Sequence, residues 1–132
     1  MKYVRLSAEE LHELEKEFID FLVVNGITAT DWVAIKENEL LNAEEIINQF
    51  SDVVWESIMR STKYLNKVEE TSAYYFKCNM NDIALKKIVK GHNGAEIFTA
   101  LKDYKKGREE EMFDMIQNGC IISDGKDYEV LN

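Results

Sequence analysis

The two histidines are the residues of this sequence best suited to metal binding, and one of them lies in a pattern known from metalloproteins. Glu9 and His12 form Glu-x-x-His, the spacing with which some four-helix bundles hold a di-iron centre. Such a centre needs a second copy of the pattern and two further glutamates, whereas His92 lies in a glycine-rich turn. We therefore expect Glu9 and His12 to lie on a solvated helix face, and we predict no metal and no cofactor.

The two cysteines, Cys78 and Cys120, are the candidates for a nucleophile, with His92 as the base. No motif around either cysteine supports this chemistry, and Cys78 ends an aromatic run in which burial would raise the pKa of its thiol. A disulfide needs an oxidising compartment, which nothing in the sequence indicates. The sequence therefore predicts two buried free thiols and favours a protein without enzymatic activity over an enzyme.

The turn Gly91-His92-Asn93-Gly94 is the place where backbone amides could hold a phosphate. Neither a Walker nor a dinucleotide-binding pattern accompanies it, so a plain turn is the simpler interpretation. The lysines nearby keep a second function open. This second function is a small-molecule or nucleotide-binding domain, or a weak enzyme, that uses residues 91–94 and these lysines.

Charge is sorted by region along the chain, and the basic region is the strongest candidate for binding. Residues 1–72 contain 7 Lys/Arg and 15 Asp/Glu, and residues 109–132 contain 1 and 7. Residues 73–108 contain 8 Lys/Arg and only 3 Asp/Glu, so they would attract an oppositely charged partner. The candidate partner-binding residues are Lys86, Lys87, Lys90, Lys102, Lys105, Lys106 and Arg108, with Lys77 just before them.

The predicted partner is a protein or a second copy of the chain rather than nucleic acid. Aromatic residues beside lysines suit single-stranded nucleic acid, but the net charge of −9 opposes a polyanion and no ribonucleoprotein signature is present. Our leading interpretation is a small non-enzymatic interaction or regulatory domain with segregated acidic and basic surfaces. Such a domain could also pair with itself as a homodimer. The alternative is that the basic residues form an ordinary solvated surface. Because salt screens such contacts, association should weaken as the salt concentration rises, and reversing the charges of Lys86, Lys87 and Lys90 should weaken it further.

The elements that position these residues begin with a well-signalled helix. Ser7 and Glu10 have the spacing of a capping box at its N-terminus. An apolar stripe with helical period follows and ends at Gly26, which suits the position after a helix. We therefore predict one helix from Ser7 to about Asn25.

Two further helices are predicted before the chain changes character. Thr30 with Asp31 opens a short helix that ends near Asn38. A second capping box, Asn42 with Glu45, starts a long helix that reaches about residue 61. Residues 64–68 continue the helical pattern or begin a connection.

The second half of the chain has the two-residue period of strands, followed by one more helix. Residues 74–78 and 83–89 flank a polar turn and predict a hairpin. Residues 96–101 fit a third strand or a short helix, and residues 108–118 return to helical period. The tail contains Asp124-Gly125 and predicts a last hairpin, with a helix after Ser123 as the alternative.

Together these elements predict the α+β class, with about three N-terminal helices packed on a small antiparallel sheet and one further helix near the C-terminus. The length fits a single domain over residues 1–132. The longest apolar stretch, residues 21–24, is far too short to cross a bilayer, and the chain opens on a charged helix rather than a signal peptide. We therefore expect a cytoplasmic protein that does not bind membranes.

Four blocks of the sequence are similar to a known family. They are residues 1–11, residues 50–56, Lys63-Tyr64-Leu65 and the tail Ile122-Ser123-Asp124-Gly125. Together they resemble a family of short, uncharacterised bacterial proteins defined as a domain of unknown function. The resemblance covers residues 1–65 and the last 20 residues well and the middle poorly. It implies one intracellular domain and supplies no catalytic residue.

Overall fold

The structure is a computed structural model that describes residues 1–131, and it has the predicted α+β class. The chain divides into two compact units, Met1–Glu56 and Ser57–Asn132. The first unit is helical, and the second is built on an antiparallel sheet. The single domain over residues 1–132 stays a prediction.

Side chains cap two of the helices of the first unit. Ser7 accepts a hydrogen bond from the amide of Glu10, and the Glu10 carboxylate accepts one from the amide of Ser7, which confirms the predicted capping box. The single helix predicted after it is wrong, because the chain leaves helical geometry at Leu14. Neither glycine nor proline marks this break, so the local sequence carries no signal for it. The helices are α1 (Ala8–Glu13), α2 (Glu15–Val24), α3 (Ala29–Asn38) and α4 (Leu40–Ser61), of which α4 continues into the second unit.

The predicted start of α3 is also wrong by two residues. Thr28, rather than Thr30, is the cap, because Asp31 stands three residues after it and the two residues exchange hydrogen bonds of 3.0 and 3.1 Å. The start of α4 likewise precedes the predicted cap at Asn42, since the carbonyl of Glu39 already accepts a helical hydrogen bond. The predicted end of the first helical segment is confirmed at Gly26, which has a φ of +74°.

Aromatic rings form the centre of the first unit. Phe18 lies 5.1 Å from Trp32 and 5.0 Å from Phe50, measured between ring centroids, and both contacts are edge-to-face. Phe21 lies 5.4 Å from Phe50, whose side chain is buried. The apolar stripe predicted for the first helical segment therefore does face a core.

The second unit contains strands β1 (Tyr64–Val68), β2 (Ser72–Cys78), β3 (Asp82–Gly91), β4 (Gly94–Asp103) and β5 (Ile121–Ser123). Within residues 1–131 they form one five-stranded sheet in the order β4-β3-β2-β1-β5, with every pair antiparallel. The hairpin of β2 and β3 confirms the prediction. Residues 64–68 are a strand rather than a helix or a connection, and residues 96–101 belong to a strand rather than a helix.

Helices lie on both faces of this sheet. Leu65, Phe76, Leu85 and Ala100 are partners across the strands and mark one face, on which α5 (Arg108–Gln117) packs. We call this the α5 face. The opposite face carries Tyr64, Lys77 and Lys86 and contacts α6 (Lys126–Val130); we call it the α6 face. The edge strands of the sheet are β4 and β5.

The C-terminal tail follows the alternative prediction rather than the hairpin. β5 pairs with β1, and the residues after it form a helix rather than the second strand of a hairpin. Gly125 has a φ of +88°, and the Asp124 carboxylate accepts a 3.0 Å hydrogen bond from the amide of Lys126, which turns the chain into α6. The Asp-Gly pair therefore starts a helix here.

No single helix within residues 1–131 combines the length and hydropathy needed to cross a bilayer. The pair α2 and α3 reaches that length and composition only when joined across a 97° bend.

Candidate functional site

Three of the predicted basic residues are paired with acidic residues near the end of the chain. Lys102 lies 3.4 Å from the Glu111 carboxylate, and Lys106 forms an ion pair with Asp114, so both contact α5. Lys77 lies 3.4 Å from the Glu129 carboxylate on α6. The segregated charges of the sequence therefore partly neutralise one another inside the second unit.

Arg108 is a cross-link between backbone segments. Its guanidinium donates hydrogen bonds to the carbonyl oxygens of Met59, Thr62, Cys78 and Asn79, at distances of 2.6 to 3.1 Å. Its side chain is only 15% exposed. The planar fork of a guanidinium suits several carbonyl groups at once, so Arg108 holds the end of α4 against the end of β2.

Lys86 likewise binds backbone carbonyls of its own chain. Its ammonium donates hydrogen bonds to the carbonyls of Tyr128 and Leu131, at 2.9 and 2.7 Å, and lies 4.0 Å from the centre of the Tyr128 ring. These carbonyls belong to the C-terminal end of α6, where a positive charge is favourable. Reversing the charge of Lys86 would therefore disturb α6 as well as any partner.

The remaining predicted residues do not meet at one place. Lys87 lies on the α5 face with its ammonium 5.0 Å from the centre of the Tyr74 ring. Lys90 is exposed near the end of β3, and Lys105 is exposed beyond the end of β4. The structure thus distributes the seven residues over both faces of the sheet, the loop before α5 and the first residue of α5.

The other candidates from the sequence are separate from these. His92 and Asn93 form the exposed tip of the β3–β4 hairpin, and none of the hollows described below includes residues 91–94. Both cysteines are buried free thiols, as predicted, and burial raises the pKa of Cys78 to about 12. Glu9 and His12 are exposed on α1.

The largest of the hollows that we describe in the second unit is open and basic, with a volume of about 620 Å³. Among its cations, Arg108 binds backbone carbonyls and Lys77 binds Glu129. Arg60 and Lys63 also line it. Since its most buried cation serves the backbone, this hollow is a weaker candidate for ligand binding than its size suggests.

A smaller hollow of about 340 Å³ lies between the α5 face and α5. Its walls are apolar, with Lys102, Tyr104 and Glu111 among its lining residues. Ala100 belongs to the lining, so the hollow reaches the edge of the sheet at β4. Its apolar lining residues are Phe76, Ile83, Leu85, Ala100 and Met115.

The feature that stands apart in the second unit is β4 itself. All ten of its residues are exposed, and no strand within residues 1–131 pairs with its outer edge. Ile97, Phe98 and Leu101 are large apolar residues that are 45%, 50% and 67% exposed. Proteins usually protect an edge strand by keeping it short, by proline or by charges, because its free amides and carbonyls can pair with another chain. β4 is long, and the chain contains no proline.

The direction of the free backbone groups of β4 follows from one hydrogen bond. The amide of Lys90 donates to the carbonyl of Thr71, so Lys90 turns its backbone toward β2. Val89, its neighbour, then turns toward β4, where its partner is Glu96. Since backbone groups alternate along an antiparallel strand, the N–H and C=O groups of Ile97, Thr99 and Leu101 point away from the sheet. Those of Glu96, Phe98, Ala100 and Lys102 point toward β3.

We compared the chain with known families and proteins. The family of unknown function DUF6495 matches residues 1–96 and 85–132. The chain belongs to DUF6495. No curated protein and no solved structure matches it. The membership agrees with the resemblance in the sequence and assigns no activity to any residue.

The sequence carried a signal for this edge that a count of lysines does not detect. In Glu96-Ile97-Phe98-Thr99-Ala100-Leu101-Lys102 the apolar residues are arranged nearly symmetrically about Thr99, and the two ends carry opposite charges. The edge offers backbone donors, backbone acceptors and apolar side chains, which are the groups that an added strand contacts.

Proposed function

We propose that this protein is a non-enzymatic interaction domain that binds an extended protein segment along the free edge of β4. The observation that carries the proposal is a ten-residue edge strand exposed at every position. An added strand would pair with the outward amides and carbonyls, which supply affinity, while side chains on both faces supply specificity.

The apolar residues of β4 support the same function. Phe98 lies on the α5 face, whereas Ile97 and Leu101 lie on the α6 face, so an added strand would cover apolar surface on both sides. Burying such side chains stabilises a complex by about 25 cal/mol per Å² of apolar surface. Binding therefore does not depend on the lysines alone. Most of these lysines already contact other residues of the same chain.

The test uses one substitution that blocks the edge and a second that spares it. Thr99→Pro removes an amide that points outward, so it should abolish edge pairing and cost the free protein about 1 kcal/mol or less. Thr99→Val at the same position keeps the amide and should bind as the native chain does. Thermal unfolding of each variant would show that both are folded.

The three proteins would be immobilised in turn, and the proteins they capture from extracts of the source cells would be identified by mass spectrometry. We expect a partner, or a further copy of the chain, that the native protein and Thr99→Val retain and Thr99→Pro loses. Equal capture by all three proteins, or none by the native chain, would contradict the proposed function.

A further inference from the structure

We infer that the segment bound along β4 is the β4 strand of a second copy of this chain, paired antiparallel with Thr99 opposite the partner's Thr99. The inference rests on the proposed function, because it needs the free edge of β4. It goes further by naming the partner and the register of the pairing. The two sheets would then join into one continuous sheet about a two-fold axis through Thr99.

The backbone permits this register. When two identical strands pair antiparallel about a two-fold axis at one residue, that residue faces its own copy. Thr99 directs its N–H and C=O outward, so the two copies of Thr99 would exchange both hydrogen bonds. Ile97 and Leu101 also point outward and would continue the same ladder on either side.

The side chains complement one another in the same register. Glu96 faces the partner's Lys102, and the symmetry makes this oppositely charged pair twice. Ile97 faces the partner's Leu101, so apolar residues meet on the α6 face. Because Glu96 and Lys102 point their backbones inward, they would form a pair without backbone hydrogen bonds, in which side chains lie closest.

Neighbouring registers lose this complementarity. With Phe98 on the axis, Glu96 would face Ala100 and Lys102 would face Gly94. With Ala100 on the axis, Ile97 would face Asp103 and Lys102 would face Phe98. Of these three registers, only the one centred on Thr99 pairs the charges and the large apolar residues together, so the side chains favour it.

The α5 face offers a place for Phe98 in this arrangement. Phe98 is half exposed in its own chain, and in the register it faces the partner's Ala100. Ala100 lines the apolar hollow of about 340 Å³ between the sheet and α5. A small residue at the mouth of an apolar hollow, opposite an exposed ring, suits insertion of that ring into the hollow.

Disulfide trapping reads the register directly. Two Thr99→Cys chains would bring their Cα atoms to about 5.5 Å, within the range that a disulfide spans. Ile97→Cys is the matched control, because the two copies of residue 97 would lie about 13 Å apart, four residues along the strand. The native thiols of Cys78 and Cys120 are buried, so mild oxidation should leave them unchanged. We expect a covalent dimer from Thr99→Cys and none from Ile97→Cys.

Charge exchange tests the same register without a covalent bond. In a Glu96→Lys homodimer two lysines would face each other twice, and in a Lys102→Glu homodimer two glutamates would do so. Each should raise the dissociation constant roughly tenfold or more. An equimolar mixture of the two variants would pair lysine with glutamate at both positions. Sedimentation velocity should therefore show dimers in the mixture at concentrations where each variant alone is monomeric.

Lys102→Glu also removes the contact with Glu111, so circular dichroism must show that this variant is folded. The Glu96→Lys variant leaves that contact in place and gives an independent measure of the charge effect.

The outcomes separate this inference from the proposed function. A native chain that stays monomeric up to high concentration, or equal crosslinking at residues 97 and 99, would overturn the second copy or its register. So would a mixture of the charge variants that stays monomeric. If Thr99→Pro nevertheless loses a different captured protein that Thr99→Val keeps, the edge function stands and only the identity of the partner is wrong.

Discussion

The two margins of the sheet differ in the length and the exposure of their edge strands. At one margin, β5 is only three residues long, and α6 follows it back across the sheet. At the other margin, β4 is ten residues long and exposed along its whole length. We call these the closed margin and the open margin.

The closed margin is held by side chains that reach far along the sequence. Tyr64 donates a 2.6 Å hydrogen bond to Glu129, and Asn66 donates one of 3.2 Å to Asp127. Arg108 binds the carbonyl of Thr62, two residues before β1. Within residues 1–131 no strand pairs with the outer edge of either β4 or β5, so the two margins differ in strand length and in these side-chain contacts. If β4 binds an extended chain, as we propose, stability and binding are separated in this unit, so substitutions at the two margins should have different effects.

The largest effect on stability is expected at Arg108. Arg108→Met keeps much of the side-chain volume but leaves several buried carbonyls without a donor, which should cost roughly 3–5 kcal/mol of unfolding free energy. Lys90→Met, near the open margin, is the matched control and should change stability by about 0.5 kcal/mol or less. Urea unfolding of both variants measures the difference. Equal effects would show that the guanidinium contacts do not hold the closed margin.

A smaller effect is expected where a glycine lies under a tyrosine ring. A Cβ atom added at Gly125 would come within 2.4 Å of the Tyr64 ring, and φ there is +88°. Gly125→Ala should therefore cost roughly 2–4 kcal/mol.

Gly94 at the start of β4 is the control for this substitution. It also has a positive φ, of +112°, but nothing lies within 4 Å of an added Cβ. Gly94→Ala should cost only the backbone strain, about 1–2 kcal/mol. If thermal unfolding shows the two variants to be equally stable, contact with Tyr64 adds nothing to the closed margin.

The smallest effect concerns an exposed contact of the closed margin. The hydrogen bond from Tyr64, with a contribution from Lys77, lowers the pKa of the Glu129 carboxyl. Because the folded pKa lies below the ordinary value, the ionised carboxylate stabilises the fold at higher pH, and this contribution is lost as pH falls through the folded pKa.

Tyr64→Phe removes the larger cause, so the pKa of Glu129 should rise toward its ordinary value. An NMR titration of the Glu129 carboxyl carbon would show the shift, and Lys77→Met should produce a smaller one. If the pKa of Glu129 does not change in Tyr64→Phe, the hydroxyl is not a significant partner.

Local signals in the sequence predicted the parts of the fold that depend on local contacts. The capping box at Ser7 and Gly26 at the end of α2 are such signals, and the structure confirms both of them. The strand β1 was missed because five residues after a long helix carry little periodicity. Its conformation comes from pairing with β2 and β5, which are distant in sequence.

The candidate site was predicted less well for the same physical reason. The lysines were visible in the sequence, but their partners are backbone carbonyls and carboxylates that only the fold brings near. Nothing in the residues around Arg108 indicates that it binds carbonyls 29 to 49 positions earlier. The symmetry of residues 96–102 could be read from the sequence, but that the outer edge of β4 is free is a property of strand order.

The contacts of Arg108 join residues that are far apart in the sequence, and this separation bears on the order in which the second unit folds. The β2–β3 and β3–β4 hairpins join residues close in sequence, so their loops close early and at little entropic cost. The contacts of Arg108, and the pairing of Tyr64 with Ser123, need much longer loops to close. We therefore expect the open margin to form before the closed one, so that a nascent chain would present β4 to a neighbouring copy while its own C-terminal helices are still unfolded.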